Sequence, residues 1–533
     1  VVYQIYVRSF ADADGDGIGD LRGIRSRLPY LCDLGVDGVW LTPCFPSPQH
    51  DHGYDVADYF DIEPAYGTLE VFDRLVAAAR DRGIRILMDV VPNHCSAEHP
   101  WFRAAVAAGP GSPERARFHF RDGRGPGGDE PPNNWTAIFG GSAWHRVTEP
   151  DGRPGQWYLG IFTGDQPDFD VTHPDVAGMF DRMLRFWFDR GVEGMRTDAA
   201  VHVGKDTSFP DWGGETVSSD PGLRNPHYTH QPGGHALWRR WRALVDTYAR
   251  EHPGREPFLV AEAYTPGDVE LLRSYVNDTE FHQTFAFDLM MAPWNARAIR
   301  DAITYHVDHV VALGMWPAWT VNNHDAHRAV TRYGWEQATT TFTGDLLHRS
   351  QVPVDVALGT RRARAMALLQ LALPGSVYLY AGEELGLPEV LDIPDAARQD
   401  PVFHRTDGRE PGRDGCRVPL PWTADESTSF GFSAGDGRVD RPWMWQPAGW
   451  GAWAADAQAA DPDSMLALHR DALAVRRAHD AWSGEPCRMA AADDADLVVI
   501  DRGSLVAITN CGAEPRAVGD WSAGRRVLLC SVP

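Results

Sequence analysis

The run RILMDVV (residues 85–91) decides the fold, because it combines a short, mostly apolar strand with a carboxylate near its end. A stretch with helical apolar spacing, residues 69–82, precedes it. Comparable strand-like runs recur at residues 2–6, 38–41, 194–197, 258–261, 284–287, 318–321 and 376–380. Short buried strands that alternate with helices are typical of a (β/α)8 TIM barrel. The sequence therefore predicts an α/β fold whose active site lies at the C-terminal ends of the barrel strands.

Two insertions rich in Gly and Pro interrupt this alternation. Residues 95–172 are too many for a barrel loop and predict an inserted irregular domain after the third strand. We expect an extended loop subdomain at residues 386–460, after the eighth strand. The catalytic barrel then comprises residues 1–94 and 173–480. Beyond it, residues 481–533 alternate apolar runs with turns, and we expect a C-terminal β-sandwich domain there.

Composition excludes several classes of protein. A formal net charge of -24 over 533 residues disfavours a nucleic-acid partner, because phosphate binding needs a basic face. No stretch approaches the roughly 18 apolar residues of a membrane helix, so no membrane association is expected. The seven cysteines form no CxxC pair, which favours a reducing, cytoplasmic setting. We expect a monomer or a homodimer.

Carboxylates fall at the ends of four of the predicted strands: Asp89, Asp198, Glu262 and Asp325. Glycoside hydrolysis needs two carboxyl groups, one to protonate the leaving oxygen and one to meet the anomeric carbon. Arg196 precedes Asp198 by two residues, so both side chains point to the same side of a strand. Its guanidinium would hold Asp198 ionised, as a nucleophile requires. Taken alone, the Arg196–Asp198 pair also fits an ordinary ion pair.

His94 and His324 stand beside two of these strand ends and leave a metal centre open as an alternative. Neither HxxxH nor HxH spacing accompanies them, so a zinc or iron site is disfavoured.

Together these residues form a known pattern. The motifs DVVPNH (89–94), GMRTDAA (194–200), VAEA (260–263) and VNNHD (321–325) occur in this order, with QPDFD at 166–170. The set resembles the conserved regions of the α-amylase family, glycoside hydrolase family 13, over nearly the whole chain. The resemblance implies that Asp198 is the nucleophile, Glu262 the acid/base and Asp325 the carboxylate that binds the sugar 2- and 3-hydroxyls. It also places Arg196, His94 and His324 around the bound glucose.

Further motifs resemble exo-acting α-glucosidases of this family. Tyr54 and Asp55 stand in a GYD motif, and Arg417 lies in an RTP-like segment that departs from the family's RTPMQW. The resemblance implies that Asp55 and Arg417 pair at the blind end of a pocket and that Tyr54 stacks on the terminal glucose. Ala199, where relatives that prefer α-1,6 bonds commonly carry valine, implies an α-1,4 preference. We therefore expect maltose and short malto-oligosaccharides as substrates, with glucosyl transfer as a side activity.

An acidic loop follows the first strand. It begins like an EF-hand, but Gly23 occupies the position of the closing glutamate, so it is not one. The same loop in related α-glucosidases implies a structural Ca2+ or Mg2+ ion held by Asp12, Asp14, Asp16, the Ile18 carbonyl and Asp20. We expect no organic cofactor.

Two kinds of alternative remain open. A glucosyltransferase or isomerase of the same family, such as a trehalose synthase or a sucrose-active enzyme, shares every catalytic residue. A non-catalytic carbohydrate-binding or transporter-associated homologue would lack a full carboxylate set, which this chain has.

Overall fold

A computed structural model describes residues 1–214, 225–335, 353–433, 441–479, 487–490, 494–518, 521 and 524–532. Its main sheet has eight parallel strands and confirms the predicted (β/α)8 barrel. Seven of the eight strands have bounds within one residue of the predicted runs, and the sixth ends three residues before its predicted run does. Their bounds are Val2–Ile5, Gly38–Leu41, Arg85–Val90, Gly194–Thr197, Phe258–Ala261, Gln283–Thr284, Ala318–Thr320 and Ser376–Tyr380.

The strands follow one another in chain order around the sheet, and the first strand pairs with both the second and the eighth. A parallel bridge between Phe285 and Ala318 joins the sixth and seventh strands. The Ala286 N–H also donates to the Ala318 carbonyl at 2.8 Å. This contact nearly closes the barrel and brings all eight C-terminal strand ends to one rim.

Helices surround the barrel because their apolar stripes face the sheet. In the helix Leu69–Arg80, the Thr68 hydroxyl accepts the Val71 N–H at the N-terminus, and the buried face includes Phe72 and Leu75. The other long helices of the barrel are Pro174–Asp189, Pro232–Glu251, Ala296–His309, Val356–Leu371 and Met465–Ala478. Shorter ones are Val7–Phe10, Leu21–Ser26, Leu28–Leu34, Val269–Tyr275, Phe287–Met291, Ala329–Gly334, Pro401–Arg405 and Ala455–Ala459.

The insertion after the third strand has regular structure of its own. The helix Pro100–Ala108 packs through Phe102 onto a three-stranded antiparallel sheet of Phe120–Arg121, Trp144–Thr148 and Pro154–Leu159. A bridge between His94 and Asp168 returns the chain to the barrel rim. The insertion therefore stands beside the C-terminal ends of the strands.

The described part of the C-terminal region forms a single three-stranded antiparallel sheet of Arg488–Met489, Leu497–Arg502 and Leu505–Asn510. Among these described residues no second sheet completes the predicted sandwich. The described residues after Asn510 are mostly exposed, although Cys511 and Leu529 pack against the core.

No helix in the described ranges is both long and apolar enough to cross a membrane.

Candidate active site

Four carboxylates meet at the barrel rim, each placed there by the end of a strand. Asp89 lies within the third strand, Asp198 and Glu262 directly follow the fourth and fifth strands, and Asp325 follows the seventh. Because parallel strands end at the same edge, residues far apart in the sequence converge there. The structure thus brings together the carboxylates that the sequence singled out.

Arg196 occupies the centre of one half of this site and is almost completely buried. Its Nη1 contacts Asp198 Oδ1 at 2.6 Å and Asp89 Oδ1 at 2.9 Å, while its Nη2 contacts Glu262 Oε2 at 2.9 Å. The guanidinium also lies 5.0 Å from the Trp40 ring centre. A single planar cation therefore fixes the relative positions of three carboxylates.

Burial dominates the ionisation of this half of the site. It raises the pKa of Asp89 to about 7, although Arg196 opposes the shift. Burial likewise raises the pKa of the Asp198 carboxyl well above its usual range; Arg196 lowers it, and the charges of Glu262 and Asp89 add to the rise. A negative charge on Asp89 therefore disfavours ionisation of Asp198.

The backbone after Asp198 adopts an unusual conformation. Ala199 has φ +45° and ψ +37°, in the left-handed region that L-residues rarely adopt. In this conformation its N–H donates to Glu262 Oε2 at 2.8 Å. The Glu262 side chain is 28% exposed and that of Asp198 12%. Glu262 is thus the carboxyl with more access to a leaving group and to water.

Asp325 lies in the other half of the site, held by two arginines. Its Oδ1 contacts Arg417 Nη2 at 2.7 Å and Arg413 Nη1 at 3.1 Å. His324 Nε2 lies 3.3 Å from Oδ2. Burial opposes ionisation, but His324 and the two guanidinium groups hold the pKa of Asp325 well below its usual range. Asp325 therefore stays ionised at neutral pH.

The buried aspartate–arginine pair differs from the expected one. Arg413, rather than Arg417, contacts Asp51 Oδ1, at 2.9 Å. Asp55 instead accepts hydrogen bonds from the Ser47 hydroxyl and from the backbone N–H groups of His50 and Asp51. It shapes the turn that presents Asp51. The expected pairing of Asp55 with Arg417 is therefore corrected to Asp51 with Arg413.

The sequence patterns do not identify Asp51, Arg413 and Asp400. Asp400 Oδ2 contacts Arg413 Nε at 2.6 Å, and its Oδ1 accepts the Val402 N–H at the start of the helix Pro401–Arg405. Asp51 precedes Tyr54 by three residues, and Arg413 precedes Arg417 by four, so both lie in the segments already singled out. Spacing alone does not distinguish these neighbours, because both segments are irregular loops whose side-chain directions follow no simple period.

The ring of Tyr54 lies flat on that of His324, with 5.4 Å between centres and 5° between planes. Its hydroxyl contacts Asp89 Oδ2 at 3.1 Å and His324 Nε2 at 2.5 Å. Tyr54 thereby connects the two halves of the site. Whether its ring also stacks on glucose stays a prediction.

His94 lies at the edge of the site facing the inserted domain. Its Nε2 contacts the Tyr54 carbonyl at 3.1 Å, and its ring lies 4.9 Å from that of Phe162. Burial lowers the pKa of His94 to about 3, so the ring is neutral near pH 7. Asn93 Nδ2 also lies 3.1 Å from His94 Nδ1, and Gln166 Nε2 lies 3.1 Å from His94 Nε2. A contact of His94 with the bound glucose stays a prediction.

The acidic loop brings three carboxylates together. Asp12, Asp14 and Asp20 each offer one oxygen, all within 4.8 Å of one another, and no other such group of three metal-ligating side chains occurs among the described residues. Asp16 is exposed and accepts the Ile18 N–H at 2.8 Å. An all-oxygen set of this kind suits a hard cation such as Ca2+ or Mg2+. The cation and the ligand roles of Asp12, Asp14, Asp16, Asp20 and the Ile18 carbonyl all stay predictions.

Comparison with known proteins agrees with this geometry. The sequence pattern described as the α-amylase catalytic domain matches residues 4–484. Maltase 1 of Drosophila virilis is 36% identical over 453 residues, 82% of this chain and 66% of that protein. The oligo-1,6-glucosidase of Parageobacillus thermoglucosidasius is 32% identical over 510 residues, 90% of this chain and 83% of that protein.

Solved structures give the same picture. The alpha-glucosyl transfer enzyme XgtA has a TM-score of 0.80 at 34% identity, covering 94% of this chain and 87% of that chain. A variant of the trehalulose synthase MutB has a TM-score of 0.79 at 28% identity, covering 97% of this chain and 91% of that chain. Proteins named as a glucosidase, a glucosyl transfer enzyme and a synthase thus share this architecture.

Proposed function

Because the chain belongs to the α-amylase family, glycoside hydrolase family 13, we propose that it is a retaining, exo-acting α-glucosidase. The resemblance seen in the strand-end motifs is confirmed, and the chain is a glycoside hydrolase of this family. One observation carries the finer proposal: Arg196 holds Asp198 and Glu262 on different nitrogens, at 2.6 Å and 2.9 Å. Two carboxyls held in fixed relation are what a double-displacement reaction needs.

In the first step, Glu262 protonates the glycosidic oxygen while Asp198 attacks the anomeric carbon from the opposite face. A covalent β-glucosyl ester forms on Asp198 and the aglycone leaves with the proton. In the second step, Glu262 takes a proton from water, which displaces Asp198 and releases α-glucose. The greater exposure of Glu262 supports this division of roles, because the acid/base must reach both aglycone and water.

The other half of the site supports binding of a terminal glucose. Asp51 and Asp325 present carboxylates held by Arg413, and Asp400 anchors that arginine from behind. Carboxylates fixed in this way accept hydrogen bonds from sugar hydroxyls without rearranging, which favours a single bound orientation. We propose that Asp325 binds the 2- and 3-hydroxyls and that Asp51 and Arg413 bind the end of the glucose farthest from the bond that breaks.

The proposed substrates are maltose and short α-1,4-linked glucosides. Support for the linkage comes from Ala199, a small side chain directly after the nucleophile. The test is incubation with maltose, isomaltose, sucrose and trehalose, with products and anomers followed by NMR. Maltose is expected to be cleaved in preference to isomaltose, and the opposite preference would contradict the linkage. The anomer is followed with 4-nitrophenyl α-glucoside, which releases a single sugar: initial α-glucose is expected, and initial β-glucose would contradict retention.

Glucosyl transfer is the second candidate, supported by the similarity to an alpha-glucosyl transfer enzyme. The ester on Asp198 can react with a sugar hydroxyl in place of water, and Glu262 would deprotonate either acceptor. The same NMR experiment distinguishes the two outcomes, because transfer gives new disaccharides or trisaccharides and isomerisation consumes sucrose without releasing its full glucose content.

A further inference from the structure

Arg328 lies in the same segment as Asp325 but points away from the carboxylates of the site. It is 3% exposed and immediately precedes the helix Ala329–Gly334. Its Nη1 donates to the Ala381 carbonyl at 3.0 Å, and its Nη2 donates to the Cys416 carbonyl at 2.8 Å. A buried guanidinium that binds backbone carbonyls fixes the segments to which those carbonyls belong.

The Cys416 carbonyl bears on the site, because it belongs to the peptide that connects Cys416 to Arg417. A second donor, the Tyr380 hydroxyl, reaches the same carbonyl at 2.9 Å. The Arg328 guanidinium carbon also lies 4.7 Å from the centre of the Tyr380 ring. The peptide between Cys416 and Arg417 is therefore held in orientation by two buried donors.

Arg417, the residue after this peptide, contacts the segment that contains Asp325 and Arg328. Arg417 Nε donates to the His324 carbonyl at 2.8 Å, and its Nη2 contacts Asp325 Oδ1 at 2.7 Å. Asp325, Arg417, the Cys416 carbonyl and Arg328 thus form a closed circuit. A shift of Arg328 would therefore move the Arg417 guanidinium, which contacts Asp325.

The surroundings hold Arg328 in this position. Glu389 Oε2 accepts its backbone N–H at 2.9 Å. Packing around the guanidinium is tight, because a Cβ at Gly382, which has φ +86°, would overlap Leu387 Cδ1 and lie 3.1 Å from Arg328 Nη1. Both the backbone and the head group of Arg328 are consequently constrained.

We propose that Arg328 is a positioning residue, which sets the orientation of Asp325 through the Cys416 carbonyl and Arg417. This inference rests on the proposed function, in which Asp325 binds the sugar 2- and 3-hydroxyls. A substrate without the 2-hydroxyl lacks one of the hydrogen bonds that a well-aligned Asp325 makes to the sugar. The ratio of kcat/KM for 4-nitrophenyl α-glucoside to that for its 2-deoxy analogue therefore reports on the alignment of Asp325.

The test compares Arg328→Lys with the matched control Arg476→Lys. Arg476 also binds backbone carbonyls, those of Leu371, Leu373 and Gly375, but it lies at the opposite end of the barrel strands. We expect Arg328→Lys to lower the ratio about 5- to 10-fold, the equivalent of one good hydrogen bond. Arg476→Lys is expected to lower the melting temperature without changing the ratio.

A folded Arg328→Lys variant with the wild-type ratio would overturn the positioning role. Should that variant fail to fold, Tyr380→Phe removes the other donor to the Cys416 carbonyl and is expected to lower the ratio in the same direction, about 2- to 5-fold. An unchanged ratio in Tyr380→Phe would then overturn the inference. A wild type that hydrolyses no α-glucoside would instead overturn the proposed function, so the two failures are distinguishable.

Discussion

Each half of the site contains three carboxylates, but one half holds them with a single arginine and the other with two. On the nucleophile side, Arg196 alone contacts Asp89, Asp198 and Glu262. On the sugar-binding side, Arg413 and Arg417 share Asp51, Asp325 and Asp400. Only the second half has enough positive charge nearby to keep its central carboxylate ionised in spite of burial.

This difference matches the chemistry proposed for each half. Burial raises the pKa of Asp198, whereas the arginines keep the pKa of Asp325 low. A nucleophile with a raised pKa is more basic and reacts more readily with carbon once ionised. A carboxylate that only binds hydroxyls benefits from permanent charge. The half with three carboxylates and a single arginine is thus the one in which we propose that the glycosidic bond breaks and the glucosyl ester forms.

The largest effect is expected from breaking the nucleophile side. Asp198→Asn keeps the size and a hydrogen-bond acceptor for Arg196 but cannot form the glucosyl ester. We expect kcat for maltose to fall by about 10⁴-fold or more. Circular dichroism and the melting temperature would check that the fold is retained. Substantial turnover by a folded variant would disprove the nucleophile assignment.

Breaking the sugar-binding side should affect binding first. Asp51→Asn removes the charge that meets Arg413, and we expect KM for maltose to rise about 10- to 100-fold, as for loss of a charge-assisted hydrogen bond. Asp55→Asn is the matched control in the same loop, expected to lower the melting temperature more than it changes KM. A larger rise in KM for Asp55→Asn than for Asp51→Asn would indicate that Asp55, not Asp51, binds the terminal glucose.

The pH profile sharpens the comparison, because burial raises the pKa of Asp198 whereas nearby positive charges hold the pKa of Asp325 low. Asp198 is protonated and inactive below its raised pKa, so kcat/KM should rise with pH through a limb above the ordinary aspartate range. Asp325 should contribute no limb above about pH 3, because its pKa is lowered.

Asp89→Asn tests the cause of that limb. Removing a negative charge beside Asp198 favours its ionisation, so the acidic limb should move to lower pH. The control is Glu63→Gln, a carboxylate that accepts the Ser47 N–H at 2.9 Å and, within the described part of the chain, makes no hydrogen bond or ion pair with Asp198; it should leave the limb in place. A shift to higher pH in Asp89→Asn would contradict the electrostatic account.

The smallest effect on catalysis is expected at the acidic loop. Chelator should lower the melting temperature by a few degrees, about 1–2 kcal/mol, and leave kcat at 25 °C unchanged, because the loop holds no group of the reaction. Added Ca2+ or Mg2+ should restore the melting temperature, with Asp12→Asn as the insensitive control. No change in melting on chelation would contradict a bound cation.

Much of this arrangement could be predicted from sequence because barrel strands are short apolar runs that end at a common rim. Asp198, Glu262 and Asp325 follow such runs, so the same sequence pattern predicts both the barrel and the carboxylates at its rim. Asp51 and Arg413 could not be assigned, since their pairing depends on two irregular loops that meet only in three dimensions. Among the described C-terminal residues the strands form one sheet, and the predicted sandwich stays a prediction, because apolar runs predict strands but not how many sheets they form.

The most direct test of the central claim, that Arg196 holds a nucleophile and an acid/base with distinct roles, is azide rescue followed by NMR. Asp198→Gly with azide should convert an activated α-glucoside to β-glucosyl azide, because azide replaces the missing nucleophile in a single inversion. Glu262→Ala should give α-glucosyl azide, because azide attacks the ester on Asp198. The same anomer from both variants, or exchanged anomers, would contradict the assignment.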